Sequence, residues 1–259
     1  MSIPSEITQL VAGSGNSFHA KVARWLRSDG WHVVISPYYM DQTQNKAREI
    51  DLIAEKLWPI FDAFGRPVAG LAVRLFVECK YIPTYSVFWM TDKNLLAAEA
   101  LVCRGGHFRP NNTYTSKHHY LATSATVAKL FATSGKGQEA EPIYKALNQS
   151  LNALVAMRGR SISLPEAKKR GSIPRFVMEY PVVVCSSFDQ MFSVDFFSEP
   201  TPKQIVKNFQ LEVRYAYVDS VGGQCEDDFL LDFVEFAQID AFTTAIAEDA
   251  KVAAFFAGS

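Results

Sequence analysis

At 259 residues, 48% of them hydrophobic, 13% aromatic and 20% charged, the chain has the make-up of a folded globular protein, neither disordered nor fibrous. No run of about 18 apolar residues occurs and the N-terminus lacks a basic stretch leading into an apolar one, so neither a membrane span nor a signal peptide is expected, and the cytoplasm is the default location. The net charge is −1, but residues 219–259 carry nine acids and one base, which leaves a basic remainder able to attract phosphate locally.

Residues 1–13 are weakly patterned and read as a short leading helix. From Asn16 onward, Phe18, Val22, Trp25 and Leu26 recur at helical spacing, and Gly30 reads as the stop of an amphipathic helix whose polar face carries Lys21, Arg24 and Arg27. Trp31–Ser36 reads as a first strand and residues 37–47 as a polar loop. Arg48–Ala54 and Leu75–Lys80 are apolar runs of strand length with Gly65, Pro67 and Gly70 between them, and are expected to be sequential strands of one sheet. Each carries charge where a core residue belongs. Residues two apart in a strand share a face, so Glu78 and Lys80 stand together while Val77 and Cys79 pack on the other side. Asp51 joins them from the neighbouring strand. Two carboxylates and an ammonium on an apolar sheet are costly unless they hold one another or an ion. With a main-chain carbonyl, that of Cys79, the carboxylates make an oxygen-only site suited to Mg²⁺. A surface salt-bridge ladder among Asp51, Glu78 and Lys80 is the structural alternative.

Further on, Asp92–Cys103 reads as a helix ended by Gly105 and Gly106, His118–Ser124 as a strand, and Val127–Phe131 as a short helix. Cys103, His107, His118 and His119 are residue types that bind zinc, but their spacing matches no common finger. The four cysteines, Cys79, Cys103, Cys185 and Cys225, are scattered and read as reduced thiols. Ser134-Gly135-Lys136-Gly137 lacks the upstream glycine and the following hydroxyl of a phosphate-binding loop. Ile143–Met157 is a well-patterned helix with Asn148, Gln149 and Asn152 on a second face. The most basic stretch follows, with Arg158, Arg160, Lys168, Lys169, Arg170 and Arg175, and reads either as a phosphate clamp or as a solvated connection. Lys168, Lys169 and Arg170 are its candidate nucleic-acid contacts. Strands are expected at Phe176–Ser186, Met191–Phe197, Leu211–Asp219 and Phe229–Phe236, and a helix over Ala237–Phe255. A soft boundary near residue 160 separates a core, 1–160, from an α/β extension, 161–259, packed on it; one domain is the alternative.

Asp51, then 26 residues, then Glu78-Cys79-Lys80 resembles the PD-(D/E)XK nuclease superfamily. The phrases Glu49-Ile50-Asp51-Leu52-Ile53-Ala54 and Phe76-Val77-Glu78-Cys79-Lys80 are similar to its resolvase-like and Mrr-like branch, and the likeness covers about the first half of the chain. The resemblance implies a restriction-endonuclease-like α/β fold, αβββαβ with a mixed central sheet flanked by helices, complete by about residue 132. It implies an endonuclease hydrolysing DNA phosphodiester bonds with Mg²⁺, or Mn²⁺ as a substitute, in restriction, phage defence or repair. Asp51, Glu78 and the Cys79 carbonyl would bind the metal, and Lys80 would orient or activate water. The family often has a glutamate on the first helix, within a Phe-Glu-like pair. Here the pair is Phe18-His19, so His19, with Glu49 as a third carboxylate and Gln149, are accessory candidates. The implied partners are DNA and, as an open alternative, a second copy of the chain. A non-catalytic nuclease-like module that binds nucleic acid or protein is the rival reading.

Overall fold

A computed structural model describes residues 4–134, 142–158, 174–219 and 221–258. Lys168, Lys169, Arg170 and Arg160, like the glycine–lysine stretch at 135–137, lie outside the described residues. The chain opens with helices α1 (Ser5–Gly13) and α2 (Gly15–Ser28). Strands β1 (His32–Ile35), β2 (Tyr38–Asp41), β3 (Lys46–Glu49), β4 (Leu52–Phe61), β5 (Pro67–Lys80) and β6 (Ser86–Asp92) come next. Then follow α3 (Leu95–Cys103), α4 (His119–Ala122), β7 (Thr126–Thr133), α5 (Pro142–Met157), β8 (Pro174–Cys185), β9 (Met191–Asp195), β10 (Lys203–Gln204), β11 (Phe209–Val218), β12 (Gln224–Glu235) and α6 (Ile239–Gly258).

Ten strands make one mixed sheet in the order β1-β4-β5-β8-β12-β11-β7-β6-β9-β10, with helices on both faces, and β2 and β3 pair as a separate hairpin. Strands from before and after residue 160 alternate in it. β1, β4 and β5 form an antiparallel meander, while β8 runs parallel to β5 from Gly70–Pro174 to Lys80–Cys185. A parallel neighbour demands a crossover, and α5, directly before β8 in the described chain, packs over both strands.

The two apolar faces of β5 explain its sequence. Val73, Leu75 and Val77 meet Val22 and Leu26 of α2 and Ile246 and Ala250 of α6 on one side. Phe76 meets Ile143, Leu147 and Leu151 of α5 on the other. Every residue from Gly70 to Cys79 is therefore buried, as expected of a strand covered on both faces. At the end of α2, Gly30 takes φ +84°, and Trp31 N–H donates to Leu26 O at 3.0 Å. That left-handed turn aims the chain into β1.

Several local expectations are corrected. Residues 37–47 are not a loop; they hold the β2–β3 hairpin, turned by Asn45 at φ +47°. His118–Ser124 is not a strand. A 3-10 turn at Thr115–Lys117 runs into α4, and His118 caps it by accepting the Tyr120 N–H at 3.1 Å. Val127–Phe131 is not a helix but the middle of β7, paired with β6 and β11, where the β-branched Thr126, Val127 and Thr133 suit a strand. The strand β6 covers residues to which no element is assigned from sequence and takes in Asp92, and α3 starts at Leu95 rather than Asp92 because the Asn94 side chain accepts the Ala97 N–H at 3.1 Å.

Candidate functional site

The β4–β5 ladder ends at Leu52–Val77, and Asp51 lies one residue beyond it. Its main chain is pinned by the Ser36 N–H, which donates to Asp51 O at 2.9 Å. Its side chain then does what a ladder partner would have done, since Oδ2 accepts the Cys79 N–H at 2.8 Å. Glu78, on the adjoining position of β5, accepts the Asp51 N–H on Oε1 at 3.3 Å and the Lys80 ammonium on Oε2 at 2.7 Å. Lys80 Nζ is 3.8 Å from Asp51 Oδ2, and His19 Nε2, reaching down from α2, is 3.3 Å from the same oxygen. Four side chains that are distant in sequence thus converge at one end of the meander.

Burial grades across the group. The Glu78 side chain is fully buried, those of Asp51 and Lys80 are 15% and 16% exposed, and His19 is 25% exposed, so the site opens on the His19 side. Burial drives the Glu78 carboxyl up to about 7; Lys80 opposes the shift and the charge of Asp51 adds to it. For Lys80, burial works to lower the pKa, but Glu78 and Asp51 together outweigh it and the net direction is up. The lysine is a charged donor here. Burial likewise lifts the Cys79 thiol well above its ordinary range, so it stays a neutral packing group.

The hydrogen bond from Cys79 and the contacts with His19 and Lys80 all fall on Oδ2 of Asp51. A strand residue sends its N–H and C=O to the same side, so the carbonyl of Cys79 leaves β5 toward Asp51, as its N–H does. The carboxylates of Asp51 and Glu78 and that carbonyl are oxygens of the type a hard divalent cation takes, with the imidazole of His19 as a neighbouring nitrogen.

Gln149 and Glu49 border this group. The Gln149 amide donates from Nε2 to Glu49 O at 3.1 Å, while its Oε1 is buried without a partner among the described residues. The Glu49 carboxylate engages the Tyr38 hydroxyl and raises its pKa. Glu49 therefore turns toward β2. On the far side of Gln149 is a polar hollow of about 460 Å³ whose lining includes Asp41, Arg48, Lys145, Asn152 and Tyr215.

A second polar cluster is not apparent from sequence spacing. His119 places Nδ1 2.5 Å from Asp249 Oδ2 and Nε2 3.2 Å from Asp232 Oδ2, and His118 Nε2 lies 3.3 Å from Asp249 Oδ2. His118, His119 and Asp249 are close enough to hold a metal ion. Their hydrogen bonds argue for protons instead. His118 Nδ1 already gives its lone pair to the Tyr120 N–H, so a neutral ring has none left at Nε2. Burial pushes the His119 pKa down, but Asp232 and Asp249 overcome it and carry it up to about 9, so an imidazolium bridges the two carboxylates. Asp232 and Asp249 come from β12 and α6, and nothing local in the sequence announces them.

No family model, curated protein or solved structure matches this chain. Among the described residues, no helix is long and apolar enough to cross a membrane.

Proposed function

We propose that the chain is a metal-dependent endonuclease acting on DNA, with Asp51, Glu78 and Lys80 as its working groups. The observation that carries this reading is the convergence of two carboxylates, Asp51 just ahead of β4 and Glu78 on β5, with a partly buried, charged lysine. The order of elements adds support. With the β2–β3 hairpin inserted after β1, and β6, α3, α4 and β7 before α5, the elements α2, β1, β4, β5, α5 and β8 run helix, three strands, helix, strand, the order of a restriction-endonuclease-like core; its last strand is then β8 rather than residues 118–124.

Asp51 and Glu78, with the Cys79 carbonyl, would hold Mg²⁺ or Mn²⁺, which when bound polarises a phosphodiester and offsets the charge that develops on it. Each remaining step falls to the chain. Lys80, kept protonated by its two acidic neighbours, orients the attacking water and donates to the phosphate rather than acting as a base. Glu78 must lose its proton before it can serve as a ligand, and its pKa of about 7 puts that event at neutral pH. His19 stands at the open side, where it contacts Asp51 and faces incoming substrate.

Purified protein incubated with supercoiled, linear and branched DNA plus Mg²⁺ or Mn²⁺ tests the reading. Lys80→Ala and Glu78→Ala are each expected to cut at least about a hundred-fold more slowly with the fold intact, the scale of losing one electrostatic group from an active site. Wild-type cleavage by Lys80→Ala would overturn the proposal. DNA binding without cleavage under either metal would favour the non-catalytic module.

A further inference from the structure

A cavity of about 330 Å³ opens between α3 with its following turn and the sheet, and it shares no lining residue with the Asp51 group. Its origin is topological. The parallel neighbours β8 and β12 pair only from Val182–Asp232 to Cys185–Glu235, so Val177–Pro181 and Phe229–Leu230 line a gap ahead of the point where the strands join. The wall is mostly apolar and aromatic, with Val102, Phe108, Leu154, Tyr180 and Phe229 prominent. Its volume falls within the range that holds small organic ligands.

Two polar features interrupt this wall. His107 is 6% exposed, and its Nε2 meets Val177 O at 3.1 Å. A carbonyl only accepts, so the ring proton sits on Nε2 and Nδ1 is a bare acceptor, buried with no partner among the described residues. Burial lowers the pKa of this imidazole despite the Val177 bond, which keeps that lone pair free. At the open end, Arg104 and Arg158, 40% and 36% exposed, both lean on the single carboxylate of Asp227, at 3.2 and 3.4 Å. The one acid among the lining residues, Glu179, pairs with Arg74 at 2.8 Å, an arginine it shares with Glu55, and the charge of Arg158 also acts on it. At the mouth two guanidinium groups thus flank the carboxylate of Asp227, and Glu179 is the acid of the lining itself.

We propose that this cavity binds a small planar heteroaromatic anion. The ring lies against the aromatic wall, a ring N–H donates to His107 Nδ1, and a carboxylate or phosphate rests on Arg104 and Arg158, whose planar forks suit either group. The shared chemistry has two sources, nucleoside 5′-monophosphates whose base keeps a ring N–H, as guanine and uracil do, and indole-type carboxylic acids. The inference stands independently of the nuclease reading, since none of its residues belongs to that site.

Isothermal titration of the full chain with GMP and UMP, whose bases keep a ring N–H, forms one arm, with AMP and CMP, which have none, as its controls; indole-3-acetate and indole-3-propionate form the other arm, and neutral indole is the reference. Saturable one-to-one binding with Kd below about 1 mM is expected in at least one arm. The double variant Arg104→Gln/Arg158→Gln changes only partly exposed side chains. It should weaken the anion about ten-fold or more while leaving neutral indole unchanged, and His107→Phe should weaken both. Hydrogen exchange should slow on ligand addition at Val177–Pro181. Saturation in neither arm, or anion binding by the double variant equal to wild type, overturns the proposal.

Discussion

Glu78 couples a proton to the integrity of the site. Its pKa rises from 4.5 to about 7 on folding because burial disfavours the charged form. The folded chain thus holds a proton that the unfolded chain releases. The stability this group contributes is fully present below about 4.5 and lost as pH rises through about 7, a swing of about 3 kcal/mol at 1.4 kcal/mol per pKa unit. Glu78→Gln should flatten the pH slope in that window and be the more stable protein at pH 8, as read by denaturant titration at pH 5 and pH 8. A slope identical to wild type would show that another group titrates there. His19 supports a second expectation. Its Nε2 lies 3.3 Å from Asp51, where a nitrogen suits Mn²⁺ better than Mg²⁺. His19→Glu should strengthen Mg²⁺ binding and remove the Mn²⁺ advantage, measured as thermal shifts in each metal. Equal shifts for both proteins in both metals would leave His19 a purely structural contact.

At the scale of elements, α2 is held to the site by its exit. Gly30 at φ +84° has only the end of the Lys56 side chain within reach of an added Cβ, so Gly30→Ala meets conformational strain rather than a clash. It should cost about 1–2 kcal/mol, the penalty for an L-residue in the left-handed region, and a chevron or melt with no loss would contradict it. The helices α2 and α5 are legible in the sequence because their faces repeat locally, as Phe18, Val22 and Leu26 do in α2; the β4–β5 pair is legible as apolar runs, but the run expected as one strand over Arg48–Ala54 is split between β3 and β4 at Ile50 and Asp51. The stretch 118–133 is not. His-His-Tyr-Leu reads as a strand by composition, yet the contacts that decide its shape come from Asp249, 130 residues away. Likewise β7 is a strand because β6 and β11 receive it on either side. The Asp51, Glu78 and Lys80 group is legible because charge interrupts an apolar strand; the cavity at β8 and β12 is not, since a gap between parallel strands leaves no periodic trace.

Across the whole molecule, the acidic C-terminal segment is largely used internally. Asp227 meets Arg104 and Arg158, Asp232 and Asp249 hold His119, and Glu226 pairs with Arg214. A charge asymmetry along the chain therefore does not become an equal asymmetry in space. Since β8 separates β5 from β12, a fragment of residues 1–160 would leave β5 with a bare edge and an exposed apolar face. It should fail to melt cooperatively, whereas the full chain should show one calorimetric transition with matching van't Hoff and calorimetric enthalpies. Two resolved transitions in the full chain would instead mark independent units. The same pairing sets an order of events on the ribosome. All of His19, Asp51, Glu78 and Lys80 have been synthesised by residue 80, but β8 follows roughly a hundred residues later, which at about 5–20 residues per second is on the order of ten seconds. For that interval the nascent chain can gather its acidic cluster on a strand with one flank still unguarded, the kind of surface that holding chaperones grip.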